Sequence, residues 1–100
     1  MKIEITTDEA RGDSRAFADG APAGRLGFRI DDRASPPVWT LYTTVVEHAY
    51  EGHGVGSALV RDVVGRAETA GARVNPTCWF VAGWIERHPE HHGVLSGGAG

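Results

Sequence analysis

One cysteine, no apolar run long enough to cross a membrane and no excess of basic charge set the first limits on what this chain can be. Cys78, standing alone, has no partner for an intramolecular disulfide, so the fold must be held by its core. The opening Met1-Lys2-Ile3-Glu4-Ile5-Thr6-Thr7-Asp8 carries neither the apolar centre of a signal peptide nor a spanning segment, and the chain is expected to be cytoplasmic, with no membrane partner. Ten Lys and Arg against 13 Asp and Glu leave a net charge of -3, which supplies no global attraction for nucleic acid, so any anion must be bound locally. His88, His91 and His92 together with Cys78 match no compact zinc-ligand spacing, and no metal site is expected.

What is present is ordinary globular composition: 100 residues, 41% hydrophobic and 23% charged, enough for one core. Neither an internal repeat nor a linker divides it. Residues 1–100 are expected to form a single domain, with 92–100, ending Gly97-Gly98-Ala99-Gly100, as a flexible tail.

The most informative stretch runs from Val46 to Val60, where an apolar strand leads into Gly52-His53-Gly54-Val55-Gly56 and then into an amphipathic pattern. Glycines at 52, 54 and 56 remove side chains where backbone N–H groups become the unpaired donors of a helix N-terminus, so an anion can approach the main chain and the positive end of the helix dipole. Glycines also serve tight turns; the position between strand and helix favours the phosphate cradle. No Lys-Ser/Thr follows as in a phosphate-loop nucleotidase, and the glycine spacing after an antiparallel meander does not fit a dinucleotide fingerprint.

Around that stretch the pattern gives a short first strand at Ile3 and Ile5, a second starting at Arg15-Ala16-Phe17-Ala18, and a tight hairpin at Asp19-Gly20, both of which tolerate positive φ. The third strand places Leu26, Phe28 and Ile30 on one face and Arg25, Gly27 and Arg29 on the other. After the turn cluster Asp31–Pro37, Val38 to Val46 is apolar on both faces, with Trp39, Leu41, Thr43 and Val45 opposite Thr40, Tyr42, Thr44 and Val46, which predicts a strand buried on both sides in mid-sheet. The helix stripe Val55, Leu59, Val63, Ala67 and Ala70 ends at Gly71, with Asp62 and Arg66 as an i,i+4 pair. Arg73 to Cys78 then forms a strand parallel to the Val38–Val46 strand, and Pro76 puts it at an edge or parts it from its neighbour. Phe80, Val81, Trp84, Ile85 and His88 share one face of a last helix that Pro89 stops. The fold class is α/β: an antiparallel meander, a strand–helix–parallel strand unit and a C-terminal helix.

Cys78 lies at the C-terminal end of the parallel strand, where open sheets bind ligands, and is either a small buried hydrophobe or a chemical group. Arg87-His88-Pro89-Glu90 is read as a helix stop with cations that complement the dipole.

Two motifs together carry a family resemblance. The run Val46-x-x-x-Tyr50-x-Gly52-x-Gly54-Val55-Gly56-Ser57-x-Leu59 resembles the acyl-coenzyme A signature of the GNAT superfamily of N-acetyltransferases. Pro76-Thr77-Cys78-Trp79-Phe80-Val81 with Trp84-Ile85-Glu86-Arg87-His88-Pro89-Glu90 is similar to a short single-domain, GNAT-like subfamily of it. The resemblance implies acetyl-coenzyme A as cofactor, its pyrophosphate on Gly52, His53, Gly54, Val55, Gly56 and Ser57, and its pantetheine paired to the strand around Val46. It implies Cys78 as the candidate catalytic residue and an amine-bearing small molecule or protein as acceptor. This chain departs from the family at Glu51, where Arg or Gln is usual, at Val45, where many relatives have a glutamate base, and in lacking the helices that form the acceptor site. The expected activity is therefore N-acetyl transfer from acetyl-coenzyme A, with Cys78 as nucleophile or general acid; the alternative is a module that holds coenzyme A without turnover.

Overall fold

In a computed structural model that describes residues 1–95, five strands and two helices follow the chain in the order β1 (Ile3–Asp8), β2 (Asp13–Ala18), β3 (Ala21–Asp31), β4 (Val38–Val46), α1 (Val55–Thr69), β5 (Arg73–Pro76) and α2 (Trp79–Glu86). The strands lie side by side in sequence order, β1 to β4 antiparallel and β5 parallel to β4. Asp19 and Gly20 both take positive φ, 49° and 86°, at the hairpin between β2 and β3, as their types allow. Pairing of β2 begins at Asp13, two residues before the expected Arg15, because Asp8 lies opposite Asp13 and the 8–13 loop is short enough to close the ladder directly.

Helix α1 covers one face of the sheet. Val55, Leu59, Val63 and Ala67 are buried as expected, and Val60 and Val64 widen the stripe, whereas Ala70 is exposed because it already stands at the C-cap. Gly71 takes φ 69°, and the N–H groups of Gly71 and Ala72 bond the carbonyls of Glu68 and Ala67, a Schellman ending that satisfies the last turn. A polar chain ties α1 to the first hairpin: Thr7 gives its only hydroxyl proton to Asp62 at 2.7 Å, so Ser14, fully buried, must be the donor to Thr7 at 2.7 Å. Arg66 then bonds Asp62 at 2.9 Å, and the Asp62 partner holds its guanidinium protonated beyond the ordinary arginine value.

Strand β4 lies between β3 and β5 as expected, but it is not buried on both faces. Trp39 and Leu41 are sealed, Trp39 stacking on Phe28 at 5.4 Å, while Tyr42 and Val45 are 40% and 51% exposed. Helices cover only one side of the sheet, so the other side of β4 meets solvent. The alternation also breaks. Phe28 lies opposite Leu41 and Gly27 opposite Thr43, so Tyr42 is an extra residue in a bulge. Beyond it Thr44 and Val46 join the helix-covered side and Val45 leaves it. Ile30, expected to be inside with Phe28, is 36% exposed at the end of β3.

Strand β5 is an edge strand and stops at Pro76, short of the expected Cys78, which becomes the N-cap of α2. Leu41 is its last partner in β4; the N–H groups of Thr77 and Cys78 both turn to the Leu41 carbonyl, and β4 runs on to Val46 without β5. Helix α2 buries Val81, Trp84 and Ile85 and ends before Pro89. Of the expected 92–100 tail, 92–94 closes a 3₁₀ helix, Pro89–Val94, and Leu95 bridges to Val74; 96–100 lies outside the described residues.

Candidate functional site

The point where β4 continues and β5 does not is the floor of a cleft of about 510 Å³. Thr44 and Val46 line it from β4, Tyr50 to Gly52 and Gly54 to Ser57 from the loop and the start of α1, and Trp79, Phe80, Trp84 and Arg87 from α2. Strand and glycines are not contiguous as the sequence suggested: a 3₁₀ turn, His48–Tyr50, lies between them and seats Tyr50 half-buried against the core.

Gly52 and Gly54 take φ 80° with no atom within 4 Å of the position a Cβ would occupy, so only backbone conformation demands glycine there. Gly56 is different. A Cβ on it would stand 2.7 Å from the ring of Phe80, so this glycine lets α2 pack onto the first turn of α1. Gly54 caps α1 without a side-chain hydrogen bond, no acidic residue stands in the first turn, and the first intrahelical bond runs from Ala58 N–H to Gly54. The N–H groups before Ala58 are therefore donors without a helical acceptor. An uncapped helix start, two open left-handed glycines and a serine hydroxyl at one end of a cleft form a donor set suited to phosphate.

Of the residues expected at the site, Val46, Gly52, Gly54, Val55, Gly56 and Ser57 meet in this cleft. His53 is exposed and is not among the lining residues. Cys78 is half-buried behind the wall, packed against the core, with its Sγ donating to Thr44 Oγ1 at 3.8 Å. Thr44 thus links the thiol to the cleft. Glu51, the departure at the start of the loop, takes a hydrogen bond from the His48 ring at 3.2 Å. The C-terminal imidazoles are occupied by protein groups: His88 on the Trp84 carbonyl, His91 on Glu68 and His92 on the Glu86 carbonyl. Among the described residues no three His, Cys, Asp or Glu are grouped to hold a metal ion. No helix among them is long and apolar enough to cross a membrane.

Thr44, Trp79, Trp84 and Arg87 were not foreseen as lining residues. Thr44 stands two residues before Val46 on the same face of the strand, so a site placed at Val46 already pointed to it; what the Tyr42 bulge hid is that this face turns to the helices. Phe80, Trp84 and Arg87, however, stand at i, i+4 and i+7, so a stripe on α2 already pointed the arginine to the side that Phe80 turns to Gly56.

Residues 13–94 match the GCN5-related N-acetyl-transferase family, a span that takes in β2 to the 3₁₀ helix after α2 and all of the cleft. The chain belongs to this family. Solved structures carry the same GNAT fold. A ribosomal-protein-alanine N-acetyltransferase from Brucella melitensis biovar Abortus 2308 superposes with a TM-score of 0.61 at 16% identity, over 77% of this chain and 62% of that one. An aminoglycoside acetyltransferase from an uncultured soil metagenomic sample gives 0.61 at 14%, over 80% and 55%. An acetyltransferase of the GNAT family from Streptococcus pneumoniae gives 0.60 at 19%, over 82% and 53%. The GNAT domain described here thus spans between about half and three fifths of the solved structures it resembles. The comparison with curated proteins returned no match.

Proposed function

We propose that this GNAT domain is an acetyl-coenzyme A-dependent N-acetyltransferase whose acceptor is an amine on a small molecule or a protein. The observation that carries the reading is the joining, in one cleft, of the free end of β4 to the uncapped start of α1. The loop residues Gly52, Gly54, Val55, Gly56 and Ser57, which line the cleft, would hold the diphosphate, and the main chain of β4 around Val46 the pantetheine arm. Bound there, acetyl-coenzyme A supplies an acetyl thioester, already activated toward amines. A backbone N–H of β4 would serve as donor to the carbonyl oxygen on which charge develops. Tyr50, Trp79 and Phe80 wall the cleft.

For Cys78 the hydrogen bond to Thr44 favours one of the two roles. A nucleophile needs a base beside it, and the partner found for Sγ is a hydroxyl to which the thiol donates; the residue would be a proton donor by relay, its proton passing to Thr44 Oγ1 as Thr44, which lines the cleft, gives its own to the departing thiolate. Cys78→Ala should then keep coenzyme A affinity and lower the rate by about 10² to 10⁴. Wild-type protein incubated with acetyl-coenzyme A should carry no acetyl group on Cys78; a stable adduct would overturn the assignment.

A binding module without turnover is the second reading, favoured by Val45, which occupies a base position with an apolar side chain on the face away from α1. Release of free thiol with a panel of amines and peptides separates the two. Both need the ligand: coenzyme A at ~100 times its dissociation constant should stabilise the domain by about 2.7 kcal/mol, with ATP and NAD inert. No shift with coenzyme A would remove both.

A further inference from the structure

The glycine-loop end of the cleft has one wall that has been given no role so far, namely the last turn of α2. Trp84 is fully buried, and its indole N–H meets Ser57 Oγ at 2.6 Å. An indole nitrogen can only donate, so Ser57 must accept, and its own hydroxyl proton is left to be given away. Ser57 is the third residue of α1, beside the N–H groups that lack a helical acceptor. Arg87 stands one turn beyond Trp84 in the same cleft, its guanidinium lying along α2 at 3.2 Å from the point where a Cβ on Gly83 would be. Every other arginine among the described residues has a carboxylate, carbonyl or aromatic partner, and Arg87 has none. The loop's other charged lining residue is Glu51, already engaged with His48, so the cation this anion site needs is not supplied locally.

We infer that α2 completes the phosphate site: Arg87 is the binding cation that Glu51 cannot be, and Trp84 is a positioning residue that makes Ser57 an obligatory donor. This rests on the coenzyme A reading above and names two residues outside the glycine loop as its determinants. A rigid guanidinium fork suits a diphosphate, and a neutral indole donor fixes the serine without adding competing charge.

The test is titration calorimetry with coenzyme A and with pantetheine, which lacks the phosphates. Arg87→Gln should weaken coenzyme A by about tenfold, flatten the salt dependence of binding and leave pantetheine unchanged. Trp84→Phe, which keeps the ring and removes the N–H, and Ser57→Ala should each weaken coenzyme A by about threefold to tenfold with pantetheine again unmoved, a selectivity that loss of packing alone would not give. The double variant should bind no more weakly than Ser57→Ala. If Trp84→Phe fails to fold, Ser57→Ala and Arg87→Gln still decide the issue from the cleft surface. Wild-type protein that binds coenzyme A while these variants match it overturns the inference alone; wild-type protein that does not bind coenzyme A overturns the functional reading with it.

Discussion

The two halves of β4 share an apolar composition and differ in almost everything else. From Val38 to Leu41 the strand is paired on both edges, and Trp39 and Leu41 are sealed between sheet and helices. From Tyr42 to Val46 it is paired to β3 only, bulged, and partly open to a cleft on one face and to solvent on the other. The first half is core and the second is site. One strand can serve both ends because β5 is short and ends in Pro76, which lacks the N–H to extend the ladder. The open edge that results is a hazard in most sheets; here it faces the cleft in which the proposed function places a ligand.

Substitutions should separate the halves cleanly. The largest effect is expected from Leu41→Ala, which should cost about 2 to 5 kcal/mol in denaturant unfolding, against less than about 0.5 kcal/mol for Val45→Ala four residues on. Equal losses would mean that the second half is packed as tightly as the first. Gly54→Val comes next. A side chain forced to φ 80° should cost about 1 to 2 kcal/mol of stability while coenzyme A affinity falls by at least about tenfold, since the β-branched group would stand at the proposed diphosphate position. A folded variant with unchanged affinity would leave the loop a simple turn. Thr44→Val removes the hydroxyl that accepts from Cys78 and should change stability by less than about 1 kcal/mol while slowing turnover by roughly tenfold, measured as thiol release.

The smallest effect is a control away from both halves. The Arg15 guanidinium bonded to Asp13, with Arg25 beside it, holds that carboxyl below its ordinary 3.8 against the opposing effect of burial. A carboxyl depressed in the folded state stabilises above its unfolded value and loses that contribution as pH falls through the folded one. Asp13→Asn should therefore cost no more than about 1 kcal/mol near neutrality, and the difference from wild type should shrink as pH drops below the carboxylate range. Coenzyme A affinity should not change; if it did, the open face of the sheet would be coupled to the cleft.

Much of this was legible because it is local. Asp19-Gly20 demands its hairpin and Gly71 its helix ending, each from the residue's own backbone freedom, whereas Gly52 and Gly54, read as room for an anion, also prove to be left-handed turns. Pro76 announced the parting of β4 and β5 because a missing N–H is written in the chain. The Tyr42 bulge was not legible. Nothing in Leu41-Tyr42-Thr43 breaks the alternation, and only the opposing strand, with Gly27 making room for the Tyr42 ring, decides that two residues face one. That single step moved Thr44 and Val46 to the cleft and Val45 away from it.

By itself, then, the sequence determined the class of fold, the order of its elements, the glycine loop that opens α1 and the family to which the motif belongs, since each depends on spacing and on intrinsic conformational preference. Tertiary structure alone decided that one face of the sheet stays bare, that Gly56 yields to Phe80, that Cys78 sits behind Thr44, that Trp84 reaches the start of α1 and that Arg87 lines the same cleft. Those are contacts between residues far apart in the chain, and their geometry exists only after the helices have been laid on the sheet.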